Sequence, residues 1–384
     1  MVTKIDNQKS SIATATEKSS KRTTIRKKLS MKDVAEAAGV SQPTVSFAYN
    51  RPGRISESQR RHVLETAERI GYPGPNALGK SLRSGKVGAI GLMMMDRLSL
   101  AFDDPSMIAL LKGIGHSGLF EETALTLFPL NHLLTASGLP GGTDSLAVRG
   151  LADGLIITTL PNGHPIITQV QEREIPFVIV DAPKIPNSSF VGIDDYEAAR
   201  TQMRHLLDLG HRRIGVLVDR LNPDGQTGPV SRQRFEAATE ALMSERLRGY
   251  VEAAADAGIS YNDLKIYEAG GLGTTAGQAA AFSLLNSEKI TGIVATSDVM
   301  ALGCLRVARD FSLNIPQDLS VVGFDDIPEA VSAGLTTIQQ PMVEKGVIAA
   351  QFLRQIMDGK HPSGVKLVKI FQTHLILRSS TRHI

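Results

Sequence analysis

Carboxylates stand in tandem at three places, Asp103–Asp104, Asp194–Asp195 and Asp325–Asp326. Two neighbouring acids can divide general-acid and general-base work when their environments push their pKa values apart. Pairs at strand ends equally cap helices or bind ligand hydroxyls, and the sequence leaves these roles open. Other reaction chemistries lack their signatures. There is no G-x-S-x-G nucleophile elbow. The nine histidines form no H-E-x-x-H or Cys/His cluster, so neither a metal site nor a cofactor is expected. The glycine-rich stretch GGLGTTAG (270–277) lacks the G-x-G-x-x-G order and reads as a loop.

A different chemistry shows in the charge distribution. Residues 1–86 carry 17 Lys/Arg against 7 Asp/Glu, a net of +10, within a chain whose total is only +3. Such asymmetry points to a polyanionic partner for the basic part, or to a solvated basic tail. Residues 1–28 are rich in Ser, Thr and Lys and poor in large apolar side chains, which predicts disorder. Within them KRTTIRKK (21–28) would attract phosphates without regard to sequence.

These residues need elements to position them. From Leu29 the apolar spacing becomes helical. Ser30 can cap a first helix with Met31, Val34, Ala35 and Ala38 inside. Gly39 ends it, and Ser41 caps a second helix with Val45, Ala48 and Tyr49 inside. Pro52 and Gly53 break the chain. Ser56 then caps a third helix, lined by Val63, Leu64, Ala67 and Ile70. Helix, Gly-containing turn and second helix over 31–50 read as a helix-turn-helix. Pro43 falls in the first turn of the second helix, where its missing N–H costs no intrahelical bond. That end of a recognition helix points into the major groove.

After the connector GYPGPN (71–76) and a short helical stretch (76–86), apolar strands alternate with helices. VGAIGLMM (from Val87), DGLIIT, FVIVD, RIGVLV, GIVAT and LSVVGFDD read as buried strands. The helices are expected at 195–209, 232–257, 276–287, 298–311 and 343–357. This alternation implies parallel sheets covered on both faces. Some 300 residues exceed one ordinary doubly wound sheet, so two such subdomains are expected. The chain has 384 residues, is 42% hydrophobic and contains a single cysteine, Cys304, which rules out an intrachain disulfide and fits a reducing cytoplasm. It has no run of about 20 apolar residues, so no membrane span is expected. Its polar, basic beginning lacks an apolar segment, so no secretion signal is expected.

The sequence from about Leu29 to Arg382 resembles the LacI/GalR family of bacterial transcription regulators. The resemblance is carried by MKDVAEAAGVSQPTVSFAYN (31–50), GYPGPNALGKSLRSGKVGAIGL, LLDLGHRRIGVL (206–217), RLRGYVEAAADAGI (246–259), SDVMALGCLRVARDFSLNIPQDLSVVGFDDIPEA (297–330), LTTIQQP (335–341) and LILRSST (375–381). It implies a small all-α helix-turn-helix headpiece joined to an α/β periplasmic-binding-protein-like core of two doubly wound parallel-sheet subdomains. The expected divisions are a tail at 1–28, a headpiece at 29–74, a hinge helix or linker at 75–86 and a core at 87–384. Within the core, an N-subdomain covers about 87–187 and 342–367, and a C-subdomain about 188–338 and 368–384. The implied partners are double-stranded operator DNA of pseudo-palindromic sequence, a small-molecule effector and a second copy of the chain. No leucine heptad follows LRSSTRHI, which favours a homodimer over a tetramer. The implied place is the cytoplasm, at the nucleoid.

By the same resemblance, Ser41, Gln42, Pro43, Thr44, Ser46, Phe47 and Asn50 form the recognition surface. Ser30, Lys32, Arg54, Ser56, Tyr72, Asn76 and Lys80 extend it. Gln42 can read a base edge because its amide both donates and accepts. Thr44, Ser46 and Asn50 suit phosphates or sugars, and Asn50 has a rival role as helix C-cap. Leu82 matches a minor-groove wedge, with Leu78 packing hinge on hinge. Unstacking costs a few kcal/mol, offset by wider contact with bent DNA. An amphipathic linker docked on the core is the alternative. Three departures stand out. Phe47 replaces the usual arginine and could touch a thymine methyl. The hinge lead-in Tyr-Pro-Gly-Pro-Asn is one residue longer than usual. Gly79 replaces alanine at about 1 kcal/mol of helix propensity.

The implied effector residues are Phe102, Asp181, Arg246, Ser297, Asp325 and Gln340, outside the carboxyl ends of strands. Arginine and carboxylates can bracket a polyhydroxyl ligand through charge-assisted bonds. Helix capping is the rival role for Asp181 and Asp325, and a surface charge that for Arg246. Sugars are the family's commonest effectors, yet the chain has no tryptophan to stack on a ring. Residues 219–245 form a long insertion that could lid or shape the site. The expected activity is regulation, of the repressing kind by resemblance, without catalysis; a solute-binding protein or an α/β sugar-processing enzyme are the alternatives.

Overall fold

The computed structural model describes residues 29–75, 86–95, 98–121, 123–130, 149–360 and 365–384. The expected basic tail and the hinge, with Asn76, Leu78, Gly79, Lys80 and Leu82, lie outside the described residues. The chain divides into two units, Met1–Ser84 and Gly85–Ile384.

Three helices make the first unit: α1 (Met31–Ala38), α2 (Gln42–Asn50) and α3 (Glu57–Ile70). Gly39 closes α1 at φ 65°, a left-handed backbone that lets its N–H reach back to Ala35 and Glu36. Ser41 Oγ accepts the Thr44 N–H, and Pro43 sits in the first turn as the sequence predicts. Val34, Ala35, Val45, Ala48, Val63 and Ala67 form the shared core. Arg60 Nε donates to the Ala48 carbonyl (3.3 Å), and a ring nitrogen of His62 bonds the Ala38 carbonyl (3.0 Å). Both tie α3 to the ends of its neighbours.

Two sheets make the second unit. The first orders its strands β12-β5-β4-β3-β1-β2, with β1 at Ala89–Met95, β2 at Ala124–Leu130, β3 at Gly154–Thr158, β4 at Phe177–Val180, β5 at Ser189–Ile193 and β12 at Val368–Phe371. All its pairings are parallel. The second orders β13-β11-β10-β9-β6-β8-β7, with β6 at Ile214–Val218, β7 at Gly228–Pro229, β8 at Lys265–Glu268, β9 at Gly292–Ala295, β10 at Ser320–Asp325, β11 at Thr336–Gln339 and β13 at His374–Ile376. Only its edges, β13 and β7, pair antiparallel.

Sheet membership moves the subdomain boundaries. Ser189–Ile193 and Val368–Phe371 pair in the first sheet, so the chain crosses after Ile193 and after Phe371 rather than at 187/188 and 367/368. A third crossing runs through Gln340 and Pro341, between β11 and the helix Met342–Met357, which covers β3, β4 and β5. The helix expected over 232–257 is two helices, Arg232–Glu236 and Ala241–Asp256. It breaks because the Thr239 and Glu240 N–H groups turn aside to the Leu221 carbonyl. The glycine-rich loop is shorter than expected, since Thr274 already begins the helix Thr274–Ser287.

Glycines set the closest helix contact in the first subdomain. A Cβ on Gly113 would stand 2.0 Å from the Val343 carbonyl oxygen, and one on Gly346 would stand 2.3 Å from that of Leu110. The helices Pro105–His116 and Met342–Met357 therefore touch backbone to backbone, which carries Met107, Leu110 and Met342 to the rim of one cavity.

Candidate DNA-reading face and effector cavity

On α2, Val45 and Ala48 turn inward, and Pro43, Ser46, Phe47 and Asn50 follow one another on the opposite stripe at helical spacing. Ser41, Gln42, Pro43 and Asn50 are exposed; Thr44, Ser46 and Phe47 are half-buried. Phe47 is thus less exposed than the sequence reading expects, but it stands apart from the residues that form the headpiece core. Asn50 Nδ2 donates to the Ser46 carbonyl (3.1 Å), one of the last-turn acceptors, while Arg51 is the C-cap. Its amide is therefore partly engaged within the helix.

The outlying candidates divide. Lys32 and Arg54 are exposed, with Lys32 3.9 Å from Glu36. Ser30 donates its hydroxyl to Asp33, and Ser56 Oγ accepts the Gln59 N–H, so both spend hydroxyls on caps. Tyr72 is a correction. Its ring is buried in the headpiece core, edge-on to Tyr49 at 6.1 Å, where apolar packing takes up the aromatic body.

In the second unit a cavity of about 130 Å³ opens between the two sheets, at the carboxyl ends of their strands. Asp181, Arg246, Ser297, Asp325 and Gln340 all line it. Phe102 does not. Its side chain is 59% exposed, while Ala101 and Asp104 on the same turn face the cavity. One position along a helix rotates a side chain by about 100°, which turns Phe102 away.

Asp181 follows β4 and Asp325 ends β10, and neither caps a helix. Both hold left-handed backbone, at φ 63° and 119°, as do the neighbouring lining residue Thr159 (53°) and Asp326 (62°). Each such residue stores roughly 1–3 kcal/mol of strain, which clusters where side chains must be aimed. Lys345, fully buried, donates to Asp181 Oδ1 at 2.6 Å and to Gln340 Oε1. Gln340 in turn donates to Asp325. One hydrogen-bonded chain thus runs from β4 of the first subdomain to β10 of the second.

Arg246 is 3% exposed. Its Nε donates to Asp195 Oδ1 (2.9 Å), its Nη1 to the Thr296 carbonyl, and its guanidinium lies 3.6 Å above the Phe324 ring centre. Ser297 lines the cavity and also caps the helix Asp298–Asp310, its Oγ accepting the Met300 N–H. Burial pushes the Asp325 carboxyl up to about 7, with Arg246 opposing the rise. Burial also raises Asp104 and lifts Asp298 well above the usual range, the latter further by the charge of Asp325.

The insertion borders the cavity through Asp219, Arg220, Glu240, Leu242 and Met243. Arg220 Nε donates to Glu240 (2.8 Å), and Arg234 bridges Asp224 and Glu268. The Asn162 N–H reaches across to the Thr239 carbonyl (2.9 Å), fastening the insertion to the first subdomain. Sequence reasoning missed Lys345, Arg220 and Glu240 as site residues. Asp104 and Asp195 were visible only as members of acid pairs. Among the described residues no cluster of His, Cys, Asp or Glu could hold a metal ion, and no helix is long and apolar enough to cross a membrane.

One unit carrying a helix-turn-helix and a second carrying a two-sheet core with a cavity define the class of a DNA-binding regulator. Residues 30–76 match the bacterial regulatory proteins of the lacI family, and residues 203–381 match the periplasmic binding protein-like domain. An HTH-type transcriptional regulator of Mycobacterium tuberculosis is 35% identical over 92% of this chain and 97% of its own. A crystal structure of a LacI family transcriptional regulator from Corynebacterium glutamicum superposes with a TM-score of 0.69 at 29% identity, covering 91% of this chain and 98% of that one. The complex of the transcriptional regulator CelR with cellobiose gives 0.63 at 25%, covering 92% and 99%. The chain belongs to the LacI family. It is a DNA-binding transcriptional regulator.

Proposed function

We propose that this protein is a cytoplasmic repressor that binds a pseudo-palindromic operator as a homodimer and is controlled by a sugar or related metabolite seated between the two core subdomains. The observation that carries the reading is the chain Asp181–Lys345–Gln340–Asp325, which joins the subdomains at the cavity where Arg246 and Ser297 also converge. A ligand bonded to both ends of that chain favours one relative placement of the subdomains, and so biases the equilibrium between DNA-competent and released forms. Operator and effector affinities are then reciprocally coupled, typically by about 1–3 kcal/mol.

On the DNA side, Gln42 supplies base-edge recognition and Thr44, Ser46 and Asn50 set register on the backbone. Leu82, with Asn76 and Lys80, would add minor-groove contact in this reading. Second-copy association is supported by the exposed apolar side chains Phe102, Leu119 and Leu125 in the first subdomain and Phe282 in the second. The cavity binds its ligand without turning it over in this reading. Its cations are held by carboxylates, and Ser297 Oγ serves a helix cap.

Selection of genomic fragments by the intact chain tests the proposal. The expected result is a short set of fragments sharing an inverted repeat, bound with a steep salt dependence and released by a metabolite. Failure to retain any fragment at low salt overturns it. Turnover of a sugar would instead favour an enzyme.

A further inference from the structure

We propose that Asp326, Arg378 and Gln339 are positioning residues: none of them lines the cavity, yet together they hold the Asp325 carboxyl aimed into it. Their bearing on a ligand rests on the effector-cavity reading above.

Asp325 and Asp326 stand at φ 119° and 62°. Among the described residues they are the only adjacent non-glycine pair with left-handed backbone. Glycine is the ordinary choice for such a step, and side chains persist there only where the surroundings over-determine the conformation.

Two sets of contacts supply that restraint. From within, the fully buried Asp298 carboxylate accepts the Ile327 N–H (3.0 Å) and the Thr337 hydroxyl (2.6 Å). From outside, the Asp326 carboxylate is forked. Its Oδ1 accepts Arg378 Nη2 at 2.6 Å, and its Oδ2 accepts Gln339 Nε2 at 2.8 Å. Arg378 Nη1 also donates to the Leu335 carbonyl (2.7 Å), which fixes the guanidinium by two nitrogens. The Arg378 and Asp326 side chains are 17% and 9% exposed, so solvent ions screen the pair little.

Strand register makes this an aiming device. Asp325 on β10 stands beside Gln339 on β11. Successive side chains of an extended chain point to opposite faces, so Gln339 reaches Asp326 while Gln340 reaches Asp325. Turning Asp325 away from the cavity rotates the peptide it shares with Asp326, and so pulls on Arg378 and Gln339. A staple for the C-terminal segment is the lesser role of the ion pair, because that segment has others. Ser380 Oγ donates to the Val321 carbonyl (2.6 Å), the Arg382 N–H to Ser320 Oγ (3.1 Å) and the Ile384 N–H to the Leu209 carbonyl (3.0 Å).

The titration of Asp325 reads its placement without any ligand. Urea denaturation of the intact chain and of Asp325→Asn, from acid to mildly alkaline pH, isolates this carboxyl; in the native background the difference levels off above about 7. The charged groups facing Asp325 are Arg246, Lys345, Asp104 and Asp298, and the test alters none of them. The same difference measured in Gln339→Ala and in Arg378→Gln is expected to level off about one pH unit lower, as a loosened Asp325 gains water. Charge alone predicts otherwise, since Gln339→Ala changes no charge and loss of the Arg378 cation would raise the midpoint. An unchanged midpoint in Gln339→Ala, or a raised one in Arg378→Gln, overturns the proposal. If Arg378→Gln does not fold, Arg378→Lys keeps the charge without the planar fork and should lower the midpoint too. Asp326→Gly relieves the left-handed backbone while removing the fork, so its midpoint should fall although the chain stays folded; an unchanged midpoint there also overturns the proposal. Failure of every sugar to release a selected operator would count against the effector reading and not against the placement of Asp325.

Discussion

Lys345 is sealed against Asp181 at 2.6 Å, and the two come from elements 164 residues apart in sequence. Lys345 has no exposed surface and Asp181 very little. Lys345→Met should therefore cost about 3–5 kcal/mol, because it strands a buried carboxylate. Lys345→Met combined with Asp181→Asn should recover much of that loss. Urea denaturation of the core transition measures both. Equal stability of the single and double variants would show that the pair is not what the lysine provides.

Asp325 makes stability depend on pH. Burial raises its folded pKa to about 7, above the value of an unfolded aspartate, so the folded state holds the proton more tightly. Its contribution is fully present below the unfolded pKa of roughly 4 and is lost as pH rises through about 7. Asp104, Asp195 and Asp298 are raised by burial too and bend the curve the same way. The difference between the native chain and Asp325→Asn isolates the one group. It should fall from acid toward neutral pH and level off above it. A flat difference across that window would contradict the assignment.

Phe47 lies on the outward stripe of α2, outside the headpiece core. Phe47→Arg should change the selected operator sequence and steepen the salt dependence by about one phosphate contact. Headpiece stability should stay within about 0.5 kcal/mol. A loss of stability with unchanged operator choice would make Phe47 a packing residue.

Gly346→Ala places a methyl group where the Leu110 carbonyl oxygen stands, 2.3 Å away. Overpacking should cost about 1–3 kcal/mol. Parting the two helices also moves Met107, Leu110 and Met342, so effector affinity should fall with stability. A variant as stable as the native chain would show that the helices separate freely.

Much of the fold was legible where strands are buried on both faces. The segments at β1, β3, β4, β6, β9 and β10 are near-continuous apolar runs, as covered parallel sheets require. Strands β12 and β13 were not, since edge position leaves them mostly exposed and without such a run. The missed crossing at Ile193 has a related cause. Ser189–Ile193 is five residues long, and pairing alone assigns it to the first sheet. Of the residues that line the cavity, the family resemblance marked Asp181, Arg246, Ser297, Asp325 and Gln340. Lys345 carried no signal, because a lysine on a helix ordinarily faces water. Only the fold shows that this one points at Asp181.

The three passages of the chain between the subdomains have a mechanical meaning. They act as parallel tethers, so a single proteolytic nick at any one of them leaves the halves joined by the other two. They also limit how far the two halves can part. Gln340 lies on one of those tethers and bonds residues on both sides of the cavity. A ligand bonded to Gln340, as proposed, would pull on one of the tethers directly.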